Sequence, residues 1–152
     1  LEAARWAPSS GNNQPWRLAW IDRTDDNFQE FCAEALNPGN AVWAKNSSAL
    51  LVIITQTEED GNPLDRAHYT TGLAAGQLVL QVQYLGLFSH HMSGIKIEKI
   101  KEFLSLTDQH EVQAVIAIGE MANADTLPDE LATRETAERN RKDMEEIVLY
   151  GI

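Results

Sequence analysis

The chain opens Leu1-Glu2-Ala3-Ala4-Arg5-Trp6-Ala7-Pro8-Ser9-Ser10-Gly11-Asn12-Asn13-Gln14-Pro15-Trp16-Arg17, and this stretch decides how the rest is read. An Ala-rich helical turn runs into Pro8. A cluster of small and amide residues follows, and Pro15 launches an apolar strand. Such a loop fixes its own path while presenting backbone N–H groups and short polar side chains. That suits a polar, planar or anionic ligand; a solvated turn between helix and strand is the plainer reading, and the residue types leave both open.

Outward from this loop, residues 16–21 set Trp16, Leu18 and Trp20 against Arg17 and Ala19, the alternation of a strand with one buried face. Asp25 or Asp26 can cap a helix whose apolar stripe is Phe28, Phe31, Cys32, Ala35 and Leu36, stopped by Asn37-Pro38-Gly39. Cys32 lies on that stripe as a buried structural thiol. Residues 49–56 are a continuous Val- and Ile-rich run, expected as a central strand covered on both faces. After a polar turn over 58–63, Asp65 opens the longest helix, which ends near Gly86. Its middle carries Gly72 and Gly76, each costing about 1 kcal/mol against alanine, so close backbone approach is expected there. Ile97, Ile100, Phe103 and Leu104 mark a short amphipathic helix, and 112–119 is another strand. Residues 120–133 read as an acidic loop, 134–146 as partly helical, and 147–150 as a short final strand or arm. Strands separated by helices give an α+β or α/β layered sheet.

At 152 residues the chain is expected to be one domain. The balance of 43% hydrophobic to 23% charged residues places it with soluble globular proteins. No apolar run reaches a membrane span and no signal peptide is visible. The lone Cys32 cannot form an internal disulfide, which fits a cytoplasmic setting. A net charge of −11 opposes nucleic acid and anionic membranes as partners. Familiar catalytic sets are missing: no Gly-x-Ser-x-Gly, Cys-x-x-Cys, His-Glu-x-x-His, Gly-x-Gly-x-x-Gly or Walker loop occurs. The adjacent His90 and His91 do not share a helical face as a metal pair would. We name no catalytic acid or base and no metal site.

The segment Pro8-Ser9-Ser10-Gly11-Asn12-Asn13-Gln14-Pro15-Trp16 resembles the signature loop of the nitroreductase family, FMN-dependent NAD(P)H oxidoreductases. Leu85-Gly86-Leu87-Phe88-Ser89-His90-His91-Met92-Ser93-Gly94 resembles its second flavin loop, and Val115-Ile116-Ala117-Ile118-Gly119 the strand after it. Arg139-Asn140-Arg141-Lys142, followed by Glu145-Glu146-Ile147-Val148, resembles the closing segment. The order of these segments spans nearly the whole chain.

The resemblance implies a three-layer α/β/α fold of the α+β class, a central mixed sheet flanked by helices, and a homodimer. The long glycine-bearing helix would sit at the dimer core, and the C-terminal arm would extend the partner's sheet; packing within one subunit is the alternative for the glycines. It implies tightly bound FMN, NAD(P)H as reductant and a small-molecule electron acceptor such as a nitroaromatic or quinone. The absence of catalytic sets suits this, because the flavin ring carries the hydride. Pro8, Ser9, Ser10, Asn12 and Gln14 would line the flavin, mainly that of the partner subunit. His91, Met92, Ser93 and Gly94 would run past the ring, with a backbone N–H near Gly94 donating to ring N5. Arg139 and Arg141 would meet the phosphate, Arg5 and Arg17 being alternatives. The family usually carries an upstream Arg-x-Ser-x-Arg segment, which the 152 residues lack. The expectation is therefore a single nitroreductase-like domain over 1–152, N-terminally incomplete, with a non-catalytic flavin-binding or structural dimer as the alternative function.

Overall fold

Residues Ala49–Gln56 form a strand buried on both faces up to its last residue, in a computed structural model that describes residues 1–151. Ile152, the end of the expected 1–152 domain, lies outside the described residues. The chain divides into two compact units, Leu1–Met121 and the residues from Ala122 onward.

In the first unit the elements are α1 (Glu2–Arg5), β1 (Trp16–Asp22), α2 (Phe28–Ala35), α3 (Pro38–Ala44) and β2 (Ala49–Gln56). There follow the small hairpin β3 (Glu58–Glu59) and β4 (Asn62–Pro63), α4 (Ala67–Tyr84), β5 (Phe88–Met92), α5 (Ile97–Phe103) and β6 (His110–Gly119). Four strands form one sheet in the order β1-β2-β6-β5. Every neighbouring pair in it is antiparallel. This corrects the expected mixed sheet. Strands that run the same way, β1 with β6 and β2 with β5, are each held apart by one running the other way, so no parallel pair occurs among the described residues.

The alternation of β2 builds two cores. Leu50, Val52 and Ile54 face α2 and α5, together with Val115, Ala117 and Met92. Leu51 and Ile53 face α4 and α1, together with Trp16, Ile116 and Ile118. Helices thus cover both faces of the sheet, as the three-layer expectation required. Each of the Leu, Ile and Val side chains of β2 contributes roughly 1.5–3 kcal/mol on burial, which is why a run with no polar face becomes the middle of the sheet.

The expected stripe Phe28, Phe31, Cys32, Ala35 and Leu36 is buried throughout. Its helix starts at Phe28, and Asp25 makes the turn before it by accepting the Asn27 N–H at 2.8 Å. Asn37-Pro38-Gly39 does more than stop that helix. Asn37 and Pro38 are the cap and first-turn residues of α3, a helix the sequence reading does not foresee. Trp20, expected on a buried face with Trp16, is 46% exposed whereas Trp16 is 7% exposed, so the cover of that face stops short of the far end of β1. The long helix begins two residues later than expected, after Arg66 in left-handed backbone. Among the described residues nothing stands within 4 Å of where a Cβ on Gly72 or Gly76 would be. No close approach among the described residues accounts for those glycines. Phe88–Met92, expected as loop, is a strand paired to β6.

The second unit holds a 3-10 turn, Ala124–Thr126, and the helices α6 (Asp129–Glu135) and α7 (Met144–Ile147). The stretch expected as a loop over 120–133 thus starts a helix, with Pro128 just ahead of its first turn. Residues 147–150, expected as a strand or arm, pair with no strand among the described residues, and Leu149 and Tyr150 stand almost fully exposed.

Candidate functional site

The 8–14 loop connects α1 to β1 and is a self-bonded turn. Gly11 (φ 56°), Asn12 (φ 59°) and Gln14 (φ 47°) all adopt left-handed backbone. Glycine does so at no steric cost and asparagine tolerates it, but glutamine needs outside support. Support comes from three hydrogen bonds. The Gln14 N–H donates to Ser9 Oγ at 3.0 Å, the Arg17 guanidinium donates to the Gln14 carbonyl at 2.9 Å, and Gln14 Nε2 donates to the Asn12 carbonyl at 3.2 Å. Pro15 and Trp16 anchor the loop in the core. Pro8, Ser10, Asn12 and Gln14 remain exposed and Ser9 is half-buried. Neither the Ser10 hydroxyl nor the Asn12 side-chain amide has a partner among the described residues.

The alternative phosphate partners are engaged elsewhere. Arg5 forms a two-pronged pair with Glu2 (2.9 and 2.5 Å), which also accepts from Trp6 Nε1. These donors pull the Glu2 carboxyl down to about 2, Arg5 contributing most. Arg17 spends its guanidinium on the carbonyls of Gln14 and Trp16.

The second expected segment leaves β5. Met92 is 2% exposed and its side chain belongs to the core with α2 and α5, so only its backbone is left for a ligand. His90 meets Trp43 of α3 edge-to-face at 4.9 Å. Burial, with His90 beside it, pushes His91 below the usual histidine range. Beyond Met92 the chain makes a tight turn, in which the Ile95 N–H donates to the Ser93 carbonyl at 2.9 Å. The Gly94 carbonyl accepts two bonds, from the Asn37 N–H at 3.0 Å and from Asn40 Nδ2 at 2.9 Å. The Gly94 N–H has no acceptor among the described residues. Sequence reasoning does not single out Asn37 and Asn40 as site residues. The only local signal is Asn37-Pro38, a helix start that places Asn40 on the first turn.

The strand register fixes where the two segments lie. Trp16, at the end of the 8–14 loop, pairs with Thr55, whose partner is Glu111. Met92 pairs with Val115, which pairs with Val52 and through it Ala19. The chain leaves β5 toward the same end of the sheet as Trp16, but β1 and β5 are opposite edges. Three inter-strand steps separate them, about 14 Å. Within one chain the 8–14 loop and the 93–95 turn thus belong to opposite edges of the sheet. In the second unit, Arg139 and Arg141 stand exposed between α6 and α7, and Arg141 Nη1 donates to the Asn140 carbonyl at 2.7 Å.

Residues 1–120 match the model of the Nitroreductase family. A Streptomyces coelicolor protein with the provisional name NADH dehydrogenase/NAD(P)H nitroreductase is 30% identical, over 80% of this chain and 69% of its own. An uncharacterised 15.4 kDa protein of Mycolicibacterium smegmatis is 28% identical over 86% of each chain. A crystal structure described as an oxidoreductase containing FMN is 34% identical with a TM-score of 0.91, covering 99% of this chain and 78% of that one.

Proposed function

The chain belongs to the nitroreductase family, and on that premise we propose that it is an FMN-dependent oxidoreductase acting as a homodimer. When bound, FMN supplies a ring that takes a hydride from NAD(P)H and passes electrons to a nitroaromatic, quinone or similar acceptor. The residues present fit this group. The observation that carries the reading is the Gly94 N–H, a donor with no acceptor among the described residues, on a turn whose carbonyls are already engaged. It would donate to the ring edge, with His91, Met92 and Ser93 contributing the strand that leads to it. Ser9 and Ser10 would donate hydroxyls to phosphate or ribityl oxygens. Pro8, Asn12 and Gln14 would complete that wall, the two amides reading polar ring atoms. Arg139 and Arg141 would hold the phosphate through charge-assisted bonds.

The edge-to-edge separation of the two segments supports a site shared between two copies, the 8–14 loop of one facing the 93–95 turn of the other. The open face at Gly72 and Gly76 supports α4 as the contact between them, and the exposed 147–150 stretch supports an arm that crosses to the partner's sheet. No helix among the described residues is long and apolar enough to cross a membrane.

Titration of the purified protein with FMN is expected to quench flavin fluorescence. The loaded protein should then oxidise NADH or NADPH continuously in the presence of a quinone. Flavin fluorescence that stays unchanged at micromolar protein would overturn the reading.

A further inference from the structure

We propose that Asn40 of α3 is a positioning residue that aims the Gly94 N–H at the flavin, an inference that rests on the function proposed above. Its amide reaches across 54 residues of sequence to the Gly94 carbonyl at 2.9 Å, in a part-buried setting. The Asn37 N–H takes the other lone pair of that oxygen at 3.0 Å. The peptide between Gly94 and Ile95 is therefore clamped by α3. The peptide before it is tied by the Ile95 N–H to the Ser93 carbonyl. With both carbonyls engaged, the orientation of the Gly94 N–H is set, and that N–H is the group left over.

Two further contacts show that the clamp belongs to a built arrangement. A Cβ at Gly94 would stand 2.8 Å from Asn40 Nδ2 and 3.5 Å from Asn37 Nδ2. Gly94 does not have left-handed backbone, so a side chain there would displace the Asn40 amide from its place rather than strain the backbone. Trp43, one turn further along α3, packs edge-to-face on His90 of β5. The helix thus grips the strand and the turn after it at two points.

An N–H held at this place discriminates between redox states. An oxidised flavin N5 offers a lone pair to a donor, whereas a reduced N5 carries its own proton. A well-aimed donor therefore favours the oxidised form, and loosening it should raise the flavin midpoint potential.

The test compares wild type, Asn40→Ala, Asn40→Asp and Gly94→Ala. Asn40→Asp keeps the side-chain shape, and its ionised carboxylate has no proton to donate. In ligand-free protein, amide exchange at Ile95 is expected to be at least tenfold faster in Asn40→Ala. With FMN bound, all three variants are expected to change the ratio of affinities for oxidised and reduced flavin about tenfold, raising the potential by about 30 mV for a two-electron couple. A purely structural asparagine would alter thermal stability and leave the potential alone. Where Asn40→Ala does not fold, Asn40→Asp carries the same readouts. Folded variants that bind FMN at the wild-type potential overturn the role of Asn40 and leave the proposed function standing. Wild-type protein that takes up no FMN overturns the function and, with it, this inference.

Discussion

Two hydroxyls, Thr55 Oγ1 and Thr71 Oγ1, are buried with no hydrogen-bond partner among the described residues. Thr55 shares a face of the sheet with its cross-strand partner Trp16, the face that α4 covers, and Thr71 is on the buried stripe of α4. An orphaned buried hydroxyl costs about 1–3 kcal/mol, and valine has nearly the same shape. Thr55→Val and Thr71→Val are each expected to raise stability by roughly 1 kcal/mol, read as a higher urea midpoint with unchanged slope. A loss of stability in both would mean that the hydroxyls are satisfied by buried water. His91 gives a second expectation at this scale. Its folded value lies below the ordinary 6.5, chiefly through burial and then through His90. The unfolded chain therefore takes up a proton that the folded imidazole resists. Stability contributed by neutral His91 is present above pH 6.5 and is lost as the pH falls through the lowered folded value. Urea midpoints at pH 7.5 and pH 5 should show a smaller difference in His91→Gln than in wild type.

Among the elements, α4 has two faces of different character. Ala67, Thr71, Ala74, Ala75, Leu78 and Val82 are buried, while Tyr69, Leu80 and Tyr84 lie exposed on the side of Gly72 and Gly76. A side chain at Gly76 meets open space among the described residues, so Gly76→Arg should leave the fold of the chain intact. If a second copy closes this face, the same arginine either buries an unpaired charge or holds the two copies apart. Gly76→Arg is expected to keep the wild-type far-UV circular dichroism while sedimenting as a monomer. A variant that remains dimeric would place the interface elsewhere. How far each element is legible in sequence follows from where its stability comes from. β2 and the α2 stripe are legible because burial itself writes their pattern, continuous in one and spaced as a helix in the other. β5 is not, since Phe88-Ser89-His90-His91-Met92 has no β-branched residue and owes its form to pairing with β6. α3 is hidden because Asn37 and Pro38 suit a stop as well as a start. The candidate site divides the same way. The 8–14 loop announces itself through its local chemistry, whereas Asn40 acts on a residue 54 positions away, a pairing that no local pattern encodes.

For the molecule as a whole, the two segments proposed to hold one flavin end strands at opposite edges of a four-stranded sheet, about 14 Å apart. On the proposed reading a second copy would supply the facing wall and leave the ladders β1–β2, β2–β6 and β5–β6 undisturbed. Cofactor affinity and self-association then become one equilibrium: a ligand that binds only the dimer strengthens the dimer by mass action. Each chain carries a net charge of −11, so two copies repel over distances that salt controls. The Debye length is about 30 Å at 0.01 M and about 8 Å at 0.15 M. Association is therefore expected to tighten as salt rises across that range. FMN affinity should tighten with it, even though the attraction of Arg139 and Arg141 for a phosphate would by itself weaken in salt. Sedimentation and flavin fluorescence, followed together over protein dilution at both salt levels, separate the alternatives. Parallel loss of dimer and of bound FMN on dilution at low salt is the expected result, with Gly76→Arg weak in FMN binding throughout. A monomer that binds FMN with the same affinity at every dilution would mean that one chain completes the site alone, and the shared site would have to be abandoned.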